Sequence, residues 1–155
     1  MEGTDRIDSA RKRLLVVIQD DWEQKWKEIA KKIGDSKSGT IRKFADLRVS
    51  GIVKGIVAKV DPSKVGATVQ SIALIKRKSD MKSNDEIRDR LEKIKWIWGI
   101  YHLASTEYDD AVIIRTFSSE ELHTVINNIR KMPEVESVSE FSIAVRVKED
   151  PRVVF

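Results

Sequence analysis

Ile29-Ala30-Lys31-Lys32-Ile33-Gly34-Asp35-Ser36-Lys37-Ser38 reads as the end of one helix, a tight turn and the start of another, and it decides the fold of the first third of the chain. Gly34 suits the left-handed conformation that closes a helix, and Asp35 and Ser36 offer side-chain oxygens to cap the next. Upstream, Trp22, Trp26, Ile29, Ala30 and Ile33 recur at helical spacing, and downstream Thr40, Phe44 and Leu47 form a second apolar stripe that stops near Ser50-Gly51. Earlier still, Ile7, Ala10, Leu14, Leu15, Val17 and Ile18 mark a further amphipathic helix, with Asp8 or Ser9 as its cap. Three short helices with a glycine turn before a basic third helix make a helix-turn-helix layout, in which the last helix enters the DNA major groove.

With Thr40, Phe44 and Leu47 turned inward at 100° per residue, Ser38, Arg42, Ala45 and Val49 face outward, flanked by Lys37 and Lys43. Arg42 matches the guanine edge and Ser38 points out beside it, while Ser36, Lys37 and Lys43 stand near the helix start to hold phosphates. Gly39 inside this helix costs about 1 kcal/mol relative to alanine. Charge follows the same division. The 155 residues carry a net +4, yet residues 1–60 hold 14 basic and 9 acidic side chains, whereas residues 61–155 hold 15 and 16. A basic module joined to a near-neutral one fits a nucleic-acid reader with a separate partner or sensor domain.

Residues 52–60 turn β-branched until Asp61-Pro62 breaks them, and read as a connecting strand. Strands are then expected over 68–75, 98–104, 110–117 and 135–147, and helices over 84–94 and 119–132. The order β-α-β-β-α-β predicts an α+β, ferredoxin-like fold with a four-stranded antiparallel sheet. The stripes Ile87-Leu91-Ile94 and Leu122-Val125-Ile126-Ile129 place both helices on one face, leaving the other for a partner or ligand. Ser83 with Glu86 and Ser118 with Glu121 are spaced as capping boxes, and Pro133 stops the second helix. The expected boundaries are a helix-turn-helix domain over 1–51, a hinge over 52–66 and a ferredoxin-like domain over 67–155.

The absence of cysteine removes disulfides, thiolate nucleophiles and cysteine zinc sites, and His102 and His123 alone do not make a histidine-rich metal site. No catalytic residue, metal or cofactor is expected. Adjacent Asp109 and Asp110 point to opposite faces of a strand and make a poor acid and base pair. No run reaches the roughly 18 apolar residues of a membrane span and the first residues lack a signal-peptide core, so a cytoplasmic location is expected. Trp22 and Trp26 share a helical stripe and are assigned to the core, and Trp96 and Trp98 to a dimer interface rather than base stacking. Two alternatives stay open on residues alone: a ligand-sensing module whose first helices contact protein, and a small enzyme using Asp109 or His102.

Residues 29–38, Gly51-Ile52-Val53-Lys54-Gly55, Val60-Asp61-Pro62, Gly66, Trp98-Gly99-Ile100-Tyr101, Tyr108-Asp109, Met132-Pro133-Glu134-Val135-Glu136 and Lys148-Glu149-Asp150-Pro151 occur in the order shown by one family. Over nearly its whole length the chain resembles the leucine-responsive/asparagine regulator (Lrp/AsnC) family. The resemblance implies a prokaryotic transcription factor whose winged-helix-like N-terminal domain binds near-palindromic operators in double-stranded DNA. It also implies a C-terminal regulation-of-amino-acid-metabolism (RAM) domain that pairs sheet to sheet into a homodimer and further into tetramers or octamers. An amino acid or related small-molecule effector would then sit near Thr106, Glu107, Tyr108 and Asp109 and near Val138 and Glu140. Thr106 stands where the family's loop carries glycine, and Val138 and Glu140 where relatives often carry hydroxyls; these departures point away from an ordinary amino acid and towards a cationic effector or a structural loop. Lys25 replaces a usual capping hydroxyl and Trp22 a turn glycine, so the second helix is expected to start earlier, capped by Asp20 or Asp21.

Overall fold

In the computed structural model, which describes residues 7–78, 84–148, 150 and 152–155, the chain forms two units, Met1–Lys59 with Glu149–Phe155, and Val60–Lys148. Ser83, Glu149 and Pro151 lie outside the described residues. Within the first unit, α1 (Ser9–Asp20) begins on Asp8, whose carboxylate accepts the Arg11 N–H at 2.7 Å. Arg11 pairs with Asp8 and reaches on to Asp46 at 2.8 Å. The second helix does not start early. Asp21 is extended, closes α1 and accepts the Glu23 N–H at 2.9 Å, so α2 (Trp26–Ile33) begins on Lys25, which supplies no side-chain cap. Gly34 closes α2 at φ 72°, a region open to glycine without strain, and the Asp35 N–H returns to the Ala30 carbonyl. The third helix, α3 (Lys37–Val49), starts on Ser36, whose hydroxyl accepts the Gly39 N–H at 3.0 Å.

Leu14, Leu15, Ile29, Ile33, Phe44 and Leu47 form the core of this unit. Trp22 and Trp26 pack against it, with ring centroids 4.9 and 5.2 Å from Phe44 and 5.4 Å from each other. The chain leaves this unit after Lys59 and returns to it after Lys148. The returning segment lies on α1: Gln19 accepts the Val153 N–H at 2.7 Å and donates to its carbonyl at 3.2 Å, and Arg152 reaches Asp20 at 3.3 Å. Val153, Val154 and Phe155 line one groove with Val16 and Val17.

The connecting segment forms no strand among the described residues, contrary to its composition. A β-branched run needs a ladder partner; here the Val53 N–H bonds back to the Leu47 carbonyl and its side chain packs on the helical core. Asp61 then caps a 3-10 turn over Pro62–Val65, closed by Gly66.

The second unit contains β1 (Val69–Arg77), α4 (Asn84–Glu92), β2 (Ile97–His102), β3 (Asp110–Thr116), α5 (Ser119–Arg130) and β4 (Val135–Ser142), with an antiparallel sheet in the order β2-β3-β1-β4. The last strand ends at Ser142 rather than near 147, because its partner Ser71 is already two residues from the beginning of β1. Alternation splits the sheet. Ser71, Ala73 and Ile75 of β1 and Val112, Ile114 and Thr116 of β3 are buried on the helix side, while Ile72, Leu74, Ile113 and Arg115 turn to the other face. Ile87 and Leu91 of α4 and Leu122, Val125, Ile126 and Ile129 of α5 complete the core. Ser118 caps α5 through the Glu121 N–H, and Glu121 returns a carboxylate to the Phe117 N–H. No helix among the described residues is long and apolar enough to cross a membrane.

Gln19→Ala removes both bonds to Val153. Because the groove is open, the expected loss is about 1 kcal/mol in the stability of the helical unit, read by denaturant unfolding; truncation after Lys148 should cost at least as much.

Candidate nucleic-acid interface

The rotation of α3 about its axis is fixed by what it buries. Thr40, Phe44 and Leu47 are in the core, and the Thr40 hydroxyl donates to the Ser36 carbonyl at 2.9 Å. Ser38, Arg42, Ala45 and Val49 are therefore presented outward, and all four are exposed. The two flanks differ. On one, Lys37, Ile41 and Arg48 are exposed, and neither cation enters an ion pair among the described residues. On the other, Lys43 and Asp46 are occupied by Asp35 and Arg11. Ser36 and Lys43, expected at phosphates, are both engaged in the opening of the helix itself, one as its cap and the other in a 2.6 Å contact with Asp35 Oδ2. The Lys43 ammonium and then the Ser36 N–H hold the Asp35 carboxyl below the ordinary carboxylate range. Arg48 was the exposed cation that the outward-facing pattern passed over, because it lies near the edge of the buried stripe rather than opposite it.

The loop between β2 and β3 brings two of the expected effector residues, Thr106 and Asp109, to one lysine. Lys76 donates to the Thr106 carbonyl at 3.1 Å and lies 3.6 Å from Asp109 Oδ2, which also accepts the Arg77 N–H at 2.8 Å. Tyr108 reaches across to the Ser139 hydroxyl at 3.2 Å, and Glu107 is exposed. Val138 and Glu140 do not join them. They alternate with Ser139 on β4, so they take the helix-covered side, where Val138 packs on the core and Glu140 accepts the Ser71 hydroxyl at 3.2 Å. Beside this loop, Arg77 and Asp110 form a largely buried ion pair at 3.1 Å, and both reach His102 Nδ1, at 3.0 and 3.2 Å. Arg77, Asp110 and His102 thus knit the ends of β1, β2 and β3 together. Among the described residues no group of three metal-ligating side chains occurs.

HTH-type transcriptional regulator FL11 of Pyrococcus horikoshii is 30% identical over 143 residues, covering 92% of this chain and 93% of its own. Regulatory protein AsnC of Haemophilus influenzae is 30% identical over 133 residues, 84% of this chain and 87% of its own. The chain belongs to the Lrp/AsnC family. It is a DNA-binding transcriptional regulator with a helix-turn-helix, and not an enzyme. No family model matches the chain. The fold of this Lrp/AsnC regulator is also that of the Neisseria meningitidis transcriptional regulator NMB0573 solved with L-Met, at a TM-score of 0.87, 16% identity and 96% coverage of both chains.

In the Lrp/AsnC regulator, the Arg77 N–H, followed by the charges of Lys76 and Arg77, holds the Asp109 carboxyl below its ordinary value against the opposing effect of partial burial. Carboxyl NMR titration should find Asp109 ionising below the reference of about 3.9, with Lys76→Ala moving it back upward. A carboxylate depressed in this way stabilises the fold above its unfolded pKa, and that contribution disappears as pH falls through the folded value.

Proposed function

We propose that the regulator reads duplex DNA by laying α3 in the major groove, with Arg42 and Ser38 towards base edges and Lys37 and Arg48 towards phosphates on one flank. The observation that carries this reading is the opposition of faces on α3: a buried Thr40-Phe44-Leu47 side and an exposed side bearing Arg42 and Ser38. Arginine presents two donors to guanine O6 and N7, and the exposed lysine suits phosphate oxygens.

The assembly that carries two such helices is a homodimer formed through the sheet face opposite α4 and α5. That face bears half-buried Ile72, Leu74 and Ile113, with Trp98, Tyr101 and Phe141 about half exposed. Arg115 stacks on Trp98 at 4.9 Å and orders one side of it. Aromatic side chains bury large areas at low entropic cost, and an apolar sheet face left in water is a liability. A twofold pair of α3 helices calls for half-sites about 34 Å apart on a near-palindromic operator. The small-molecule effector is assigned to the loop Thr106-Glu107-Tyr108-Asp109, where exposed Glu107 favours a cationic amino-acid-like ligand while Lys76 already holds Asp109.

With about three phosphate contacts per protomer, log K for a dimer should fall with log salt at a slope of about −5, measured by fluorescence anisotropy. Arg42→Glu should weaken binding at least tenfold; unchanged binding would instead assign the helices to protein contact. Tyr101→Asp, which places a charge on the apolar sheet face, should shift the sedimentation profile from dimer to monomer without loss of helical signal.

A further inference from the structure

We propose that Asp35 sets the electrostatic strength of DNA binding by keeping Lys43 in an internal ion pair, with Gly39 as the residue that makes room for it. This rests on α3 being the helix that reads DNA. Lys43 Nζ and Asp35 Oδ2 lie 2.6 Å apart with side chains only 22% and 24% exposed, so solvent screens the pair less than it would an open surface pair. Side chains on a helix lean towards its N-terminus, which lets the lysine stem run back along α3 to a residue eight positions earlier. The other carboxylate oxygen, Oδ1, accepts the Ser36 N–H at 2.7 Å, so the group is held at both ends.

The carboxylate lies against Gly39. A Cβ added there would stand 2.7 and 2.9 Å from the two Asp35 oxygens and 2.9 Å from Ser36 Oγ. Gly39 is not among the glycines of positive φ, so its backbone does not demand glycine; the space above it does. Among the described residues, Lys43 is thus the one basic side chain of α3, beside Lys37, Arg42 and Arg48, that is neutralised from within. Exchanging a short, shielded carboxylate contact for a phosphate gains little, and the Asp35 charge disfavours a phosphate on that flank. Phosphate contact then falls to the Lys37 and Arg48 flank, which biases how the helix lies in the groove.

The test is a salt series of affinities for a duplex of arbitrary sequence, using full-length wild type, Asp35→Asn, Gly39→Ala, Lys43→Ala, the double variant Asp35→Asn with Lys43→Ala, and the double variant Lys37→Ala with Arg48→Ala. Lys43→Ala alone should leave the salt slope unchanged. Asp35→Asn and Gly39→Ala should each steepen it by about 0.9 per protomer bound, with several-fold tighter binding at low salt. In the Asp35→Asn background, loss of Lys43 should abolish that steepening. A flatter slope for Lys43→Ala by itself, or a steepening that survives loss of Lys43, overturns the proposal. Gly39→Ala keeps the Asp35 charge and adds a better helix former, while its Cβ presses on the Asp35 carboxylate and on the Ser36 hydroxyl alike, so the far-UV helical signal of each variant is read beside its slope to separate loss of the ion pair from loss of the cap. Unaltered affinity and slope in the Lys37→Ala, Arg48→Ala double variant, which lacks the cations assigned to phosphates, would instead remove α3 from the DNA, and so distinguishes failure of the helix assignment from failure of the ion pair.

Discussion

Burial of one side of α3 is the constraint on which the functional half of the molecule depends. Phe44 and Leu47 enter a core made by Leu14, Leu15, Ile29 and Ile33, and the two tryptophans of the preceding segment close around Phe44. A helix so anchored has no freedom to turn about its axis, because each turn would expose apolar area worth about 25 cal/mol per Å². The outward position of Arg42 is therefore a consequence of packing on the reverse side. Arg11 adds a polar tie between α1 and α3 through Asp46. In this way a small apolar cluster determines which side chains of α3 face solvent.

The same reasoning with a period of two governs the sheet. Ala73, Ile75, Val112 and Ile114 are covered by α4 and α5, and every neighbouring position must then face away from them. Apolar residues at Ile72, Leu74 and Ile113 make the uncovered side unlike an ordinary solvated sheet face. Charge is treated differently at the strand ends, where the Arg77 and Asp110 pair is largely buried and shared with His102. Such a pair contributes less to net stability than to fixing which groups meet.

Features governed by neighbours in sequence were legible from the residues, and features governed by distant partners were not. Ser36, Gly34 and Ser118 act within a turn of where they stand, so caps, helix ends and the β-α-β-β-α-β order could be read directly. The stretch after Gly51 has strand composition without a strand beside it, and composition carries no information about partners. Asp20 and Asp21 offered capping oxygens, but their geometry was already committed to the end of α1. The meeting of Lys43 with Asp35 spans a cap and two turns, outside the three- and four-residue spacings that helical patterns reveal. Val138 and Glu140 are joined to the loop by what the family resemblance implies, whereas strand alternation sends them to the opposite side from Ser139.

The return of Arg152–Phe155 to α1 bears on biosynthesis. During vectorial synthesis the three helices emerge roughly a hundred residues before the segment that docks on them, a delay of several seconds at ordinary elongation rates. The nascent bundle must persist on its own apolar cluster until the intervening sheet has been translated. Completion of the DNA-reading head is thereby coupled to completion of the body that follows it, so a ribosome that stalls midway releases a head without its final clasp on Gln19.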